Sequence, residues 1–161
     1  MYEFLEETVQ HDMMQPARAV AAEITLGDLL RLFTADNVDA YPVESNGRLC
    51  GIVSKGDAVR AFAPGRAGIP PHYDDAMGTT VEQIMSRHVM TVDAETKLQC
   101  VLHLMEKHRI KSLPVVDAGN RLLGLIAREN VIRALARCNR RQPSAQAPTT
   151  CRPACRSQAI A

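Results

Sequence analysis

Ser54 and Asp57 stand three residues apart, where the β-rich run Gly51-Ile52-Val53 gives way to a helix-forming stretch. At such a junction both side chains can face one point at the helix start. Asp57 offers a carboxylate with two acceptor oxygens, which suits a pair of vicinal hydroxyls such as the 2′- and 3′-hydroxyls of ribose. Hydrogen bonds to an ionised acceptor are roughly twice as strong as neutral ones. Ser54 adds a hydroxyl, and a helix N-terminus favours a phosphate nearby. Ser-x-x-Asp is also a common way to begin a helix, with Ser54 as the cap and Asp57 in the first turn. Taken alone, the spacing fits the cap better than a ligand site.

Other reactive side chains point to less. Cys138, Cys151 and Cys155 lie in or beside a polar C-terminal stretch and lack the four well-spaced ligands of a zinc site, so no metal is expected. His11, His72 and His88 have no nucleophile beside them, and His103 and His108 read as helix-surface or capping positions. There is no Walker loop, nucleophile elbow or His-Glu-x-x-His pattern, so no catalytic residue is assigned and the chain is not expected to be an enzyme.

The elements that must position Ser54 and Asp57 come from an internal repeat, the strongest pattern in the chain. Val38-Asp39-Ala40-Tyr41-Pro42-Val43 matches Ile110-Lys111-Ser112-Leu113-Pro114-Val115 at a displacement of 72 residues. A polar turn follows each, then Arg48-Leu49-Cys50-Gly51-Ile52-Val53 matches Arg121-Leu122-Leu123-Gly124-Leu125-Ile126 at 73, one residue having entered the turn. Upstream, Thr25 to Phe33 matches Thr96 to Met105, each Thr read as an N-cap. The expected stripes are Leu26, Leu29, Leu30 and Phe33 in one copy and Leu98, Val101, Leu102 and Met105 in the other. Each copy thus predicts strand, helix, hairpin, helix, the last helices near Asp57–Phe62 and Asn130–Leu135. A unit of about 50 residues cannot bury both faces of a small sheet alone, so the two copies should pair.

Composition bounds the rest. Of 161 residues, 46% are hydrophobic and only 4% aromatic, so the core is aliphatic. No apolar run reaches membrane-spanning length, and the acidic start, Glu3 to Glu7, lacks the positive charge of a signal peptide. The five cysteines are read as free thiols, and the chain as cytoplasmic. Net charge is −6 over residues 1–80, +2 over 81–136 and +5 over 137–161, so the folded part is mildly acidic and nucleic acid is an unlikely partner. Residues 1–13 are expected to form a lead helix with Tyr2, Leu5 and Val9 on one side, and 63–79 a linker. Thr80 and Gln83 form a capping-box pattern, and 138–161 a disordered tail.

Met14-Gln15-Pro16 with Val20, Tyr41-Pro42-Val43 and Gly51-Ile52-Val53-Ser54-Lys55-Gly56-Asp57 resemble a CBS motif over residues 14–62. Met85 with Val92, Leu113-Pro114-Val115-Val116 and Gly124-Leu125-Ile126-Ala127-Arg128-Glu129-Asn130 resemble a second, over 80–137. Together they are similar to the tandem CBS pair, or Bateman module. The resemblance implies an α+β fold of two β-α-β-β-α motifs packed as a pseudo-twofold pair, often dimerising into a disc. It also implies binding of an adenine nucleotide (AMP, ADP or ATP) or S-adenosylmethionine in clefts between the motifs, as a regulatory ligand and not a catalytic cofactor. By the same resemblance, Ser54 and Asp57 hold the ribose, Lys111 and Arg128 contact phosphates, and Val20, Ala40, Tyr41, Pro42 and Ile52 wall the adenine. Surface charge and ordinary core packing are the plainer roles of those last seven residues. The second copy departs from the pattern, with Ala127 and Asn130 at the clamp positions and Asp39 where Lys111 stands in the other repeat. One nucleotide per chain is therefore expected, along with a homodimer and an unidentified effector protein; a ligand-free dimerisation or scaffold module is the alternative.

Overall fold

A computed structural model describes residues 6–13, 16–64, 68–139 and 156–159. The described residues divide into two compact units, one running from 18 to 89 and one from 90 onward together with those ahead of 18. Each holds one copy of the repeat.

In the first unit, β1 (Val20–Ala21) runs parallel to β2 (Ala40–Ser45), which pairs antiparallel with β3 (Arg48–Ser54). Helix α1 (Leu26–Ala35) covers this sheet, and Thr25 caps it by accepting from Asp28 N at 3.2 Å. The hairpin turns at Asn46 and Gly47, with φ of 52° and 72°. Two left-handed residues give a turn whose twist matches the strands, and Asn-Gly is the usual pair there. Helix α2 (Lys55–Arg60) leaves the end of β3, and α3 (Tyr73–Gly78) and α4 (Val81–Ile84) follow. Leu26, Leu29, Phe33, Tyr41, Val43 and Val53 form the centre of an aliphatic core. Gly51 admits the next segment closely, since a Cβ there would lie 2.5 Å from Met85 Sδ.

The second unit repeats the plan. After β4 (His88–Thr91), Val92 bridges Val115 in parallel, and α5 (Leu98–His108) precedes the hairpin of β5 (Ser112–Val116) and β6 (Leu122–Ala127). Helix α6 (Arg128–Asn139) ends the unit. The core gathers Leu98, Val101, Met105, Leu113, Val115 and Ile126.

Several details differ from the sequence expectation, and the stretch 63–79, expected as a linker, contains α3. Helix α5 begins one residue beyond Lys97, because the Thr96 hydroxyl turns away to donate to Asp93 Oδ1 at 2.9 Å. Its buried stripe takes Leu104 in place of Leu102, which is 41% exposed. Cys50 is a free thiol, whereas Cys100 is disulfide-bonded, so free thiols do not describe every cysteine.

Each repeat helix is also flanked by chain from just ahead of the other repeat. Val81 N donates to Ile24 O and Leu26 N to Thr79 O, at 2.9 and 2.7 Å. In the second unit Val9 N donates to Thr96 O and Leu98 N to Glu7 O, both at 2.9 Å. The two sets correspond at the repeat displacement. Val9 is fully buried in the second unit's core. The lead segment is therefore a strap on the second repeat; Val9–His11 form a 3-10 turn, and Tyr2 and Leu5 lie outside the described residues. Of the tail, Arg156–Ala159 form β7 beside β4, a strand the composition does not predict. Residues 138 and 139 belong to α6, and the rest of the tail lies outside the described residues. No helix among the described residues is long and apolar enough to cross a membrane.

Candidate functional site

The junction of β3 and α2 is built by the chain's own local chemistry. Ser54 has an extended backbone, with φ −109° and ψ 164°, and its hydroxyl oxygen accepts from Asp57 N at 3.2 Å. Asp57 Oδ2 reaches back to accept from Ser54 N at 2.9 Å and from the Ser54 hydroxyl at 2.7 Å. This is a reciprocal capping box. Asp57 Oδ1 accepts from Arg60 Nη1 at 2.8 Å, a partner the sequence reading missed. Asp and Arg at i and i+3 on one helix were its visible signal. The carboxylate side chain is only 10% exposed, while Arg60 is 74% exposed.

Strand alternation sorts the five proposed wall residues into two groups. Ala40 pairs with Ser54 and Pro42 with Ile52, so these four share one face of the sheet. Tyr41 pairs with Val53 and Val20 with Val43, on the opposite face, where all four belong to the core. Tyr41 packs on Phe33 with ring centroids 5.1 Å apart, and its hydroxyl donates to Asp36 Oδ2 at 2.7 Å. Burial, and then that bond to Asp36, push the Tyr41 hydroxyl well above its ordinary range. The bond from Tyr41, and then that from Arg18, hold Asp36 below the usual carboxylate value. Val20 and Tyr41 thus do core work, and Ala40, Pro42 and Ile52 are the ones that share a face with Ser54.

In the second unit the same junction is simpler. Asn130 Oδ1 accepts from Ala127 N at 2.9 Å, the counterpart of the bond from Ser54 N to Asp57. Ala127 supplies no hydroxyl, and a neutral amide cannot form the ion pair that Asp57 makes. Arg128 N donates to the Lys111 carbonyl at 3.0 Å, so these two exposed residues are neighbours. At the matching place in the first unit, Lys55 N donates to the Asp39 carbonyl, also at 3.0 Å. Ser54 and Asp57 therefore meet in one unit, Lys111 and Arg128 in the other. Among the described residues no group of three or more His, Cys, Asp or Glu side chains could hold a metal ion.

Comparison with known proteins agrees with the repeat. A CBS domain model matches twice, over residues 8–64 and 81–137. The CBS domain-containing protein YhcV of Bacillus subtilis (strain 168) is 31% identical over 121 residues, covering 74% of this chain and 79% of that protein. A homoserine O-acetyltransferase of Methanosphaerula palustris is 29% identical over 136 residues, 83% of this chain, which spans only 25% of that relative. The crystal structure of CBSX2 in complex with AMP has a TM-score of 0.70 at 26% identity, covering 82% of this chain and 98% of that one. The CBS domain pair of protein MJ0100, in complex with 5-methylthioadenosine and S-adenosyl-L-methionine, shares the fold at a TM-score of 0.68 and 23% identity, over 82% of this chain and 98% of that one. The sheet junctions fall inside the matched segments, as do Val9 and Val81 of the straps, and the chain belongs to the CBS domain family, carrying the domain twice.

Proposed function

We propose that this chain is a regulatory module that binds one adenosine-containing ligand beside Ser54 and Asp57 and passes the binding energy to a partner protein in the cytoplasm. AMP, ADP, ATP and S-adenosylmethionine are the candidate ligands, held by binding alone with no catalytic step. The observation that carries this reading is a buried carboxylate, Asp57, at the end of a sheet face formed by Ala40, Pro42, Ile52 and Ser54. A charged acceptor next to small and apolar side chains suits a nucleoside, whose ribose is polar and whose base is flat. The AMP complex of the similar CBSX2 supports the ligand class.

A second reading has an observation of its own. Asp57 is already satisfied by the cap and by Arg60, as a purely structural carboxylate would be. That favours a ligand-free dimerisation or scaffold module. The homodimer is common to both proposals, and is supported by Val59 and Ile132, matched positions of α2 and α6 that are 72% and 63% exposed. Light scattering at micromolar concentration should give the dimer mass.

A thermal-shift series with AMP, ADP, ATP, S-adenosylmethionine and NAD separates the two readings. A ligand at 100 times its Kd adds about 2.7 kcal/mol to stability. Stabilisation by at least one adenosyl ligand is the expected result, and no response to any of them would leave the scaffold reading.

A further inference from the structure

We propose that Arg60 gates the Ser54–Asp57 site and sharpens its choice among ligands: a vicinal diol must displace Arg60 from Asp57, and a single hydroxyl need not. The inference rests on the ligand-binding reading above and adds a specificity-determining residue to it.

The argument is a count of acceptor positions. An ionised carboxylate offers about four lone-pair sites. Oδ2 of Asp57 already holds two donors, Ser54 N at 2.9 Å and the Ser54 hydroxyl at 2.7 Å. Oδ1 holds Arg60 Nη1 at 2.8 Å, which leaves one position. One ligand hydroxyl can take that position with every local bond intact. Two hydroxyls cannot, and one existing donor has to leave. The Ser54 amide and hydroxyl are poor choices, because both belong to the cap. The hydroxyl is tied at both ends, accepting from Asp57 N at 3.2 Å while it donates to Oδ2. Arg60 is the exposed partner, at 74%, and regains water as soon as it lets go. Only the arginine end of this part-buried pair is exposed, and it is held by a single bond one helical turn away, so its release is the easiest of the three. The second repeat has no such device: Arg133 stands where Arg60 does, but Asn130 is neutral.

Calorimetry on the full chain tests this with uncharged ligands, which removes phosphate electrostatics from the comparison. Adenosine and 2′-deoxyadenosine are titrated into the wild type and into Arg60→Ala in parallel. The expected result is that Arg60→Ala binds adenosine at least about twofold tighter, the lower bound set by an i,i+3 pair on a helix surface, and leaves 2′-deoxyadenosine unchanged. The preference for the diol then widens by the same factor. Arg60→Met, which keeps the aliphatic stem and removes the charge, should behave alike and shows that the gain is not a folding artefact. Equal tightening of both nucleosides, weaker binding of either, or no change in the variant overturns the gate while leaving the binding reading intact. Wild-type chain that binds neither nucleoside at millimolar concentration overturns the gate, and no response in the thermal-shift series overturns the binding reading itself.

Discussion

The two strand-to-helix junctions share a backbone and differ in side chains. In each, the first helical residue donates its amide to the carbonyl just ahead of the first hairpin strand: Lys55 to Asp39, and Arg128 to Lys111, both at 3.0 Å. In each, a side-chain oxygen three residues on returns to the strand end, from Asp57 to Ser54 N and from Asn130 to Ala127 N, again both at 2.9 Å. Only the first junction adds a hydroxyl, a full charge and an arginine to balance it. The second keeps a hydroxyl beside the junction but on the other strand, since Ser112 pairs with Ala127 where Ala40 pairs with Ser54. The fold needs the returning oxygen, and an amide supplies it as well as a carboxylate does. Negative charge at Asp57 exceeds that need, and this makes the first junction, and not the second, the proposed ligand site.

The comparison breaks most visibly at Asp57 itself. Asp57→Ala should weaken adenosyl-ligand binding by about 1.5–3 kcal/mol, the scale of a lost charged hydrogen bond. Asn130→Ala should leave the affinity unchanged, and isothermal titration reads both. The smaller side chain also loses half of a cap, so a stability decrease of about 1 kcal/mol is expected in both variants by chemical denaturation.

The next effect concerns the straps. In the second unit Asp12, whose side chain is 3% exposed, is held by Arg137 at 2.6 Å, and its Oδ2 is buried without a hydrogen-bond partner. Arg137→Ala leaves that carboxylate buried and unpaired. Removing one partner of a fully buried pair costs about 3–5 kcal/mol, and with Arg137 at 44% exposure a loss of about 2 kcal/mol is the reasonable expectation. Urea titration checks it. The first unit's strap, Thr79 to Gln83, carries no such pair among the described residues, and Glu82→Ala should cost little.

Lys111→Ala sharpens the comparison from the other side. It should weaken ATP by up to about 1 kcal/mol and adenosine hardly at all, because only phosphates lose a cation. Equal weakening of the two would remove Lys111 from the phosphate role. The smallest effect is on pH dependence. Asp36 is held below its ordinary value in the folded state by Tyr41 and Arg18, so its contribution is present above about pH 4 and fades as pH falls through the lowered value. Asp36→Asn should flatten the acid limb of a stability-versus-pH curve.

Much of this was legible in the sequence because the signals were local. The displacements of 72 and 73 aligned both hairpins, and Thr25, the Asn46-Gly47 turn and the Thr80–Gln83 box act within four residues of themselves. The straps were not legible, since nothing near Val9 tells that its amide will meet Thr96. Nor was the start of α5, where Thr96 had two possible uses for one hydroxyl and took Asp93. The split of the wall residues was within reach: strand alternation alone separates Tyr41 from Ala40 and Pro42. Arg60 was visible at helical spacing but reads as surface charge until the burial of Asp57 is known.

The central claim is that one junction binds and its repeat does not, and stoichiometry addresses it directly. Calorimetric titration of the full chain with the adenosyl ligand that gives the largest thermal shift should return one site per chain in the wild type, weakened about ten- to hundredfold in Asp57→Ala and unchanged in Asn130→Ala. Two equivalent sites per chain, or one site whose affinity is unchanged in Asp57→Ala and lost in Asn130→Ala, would contradict the account.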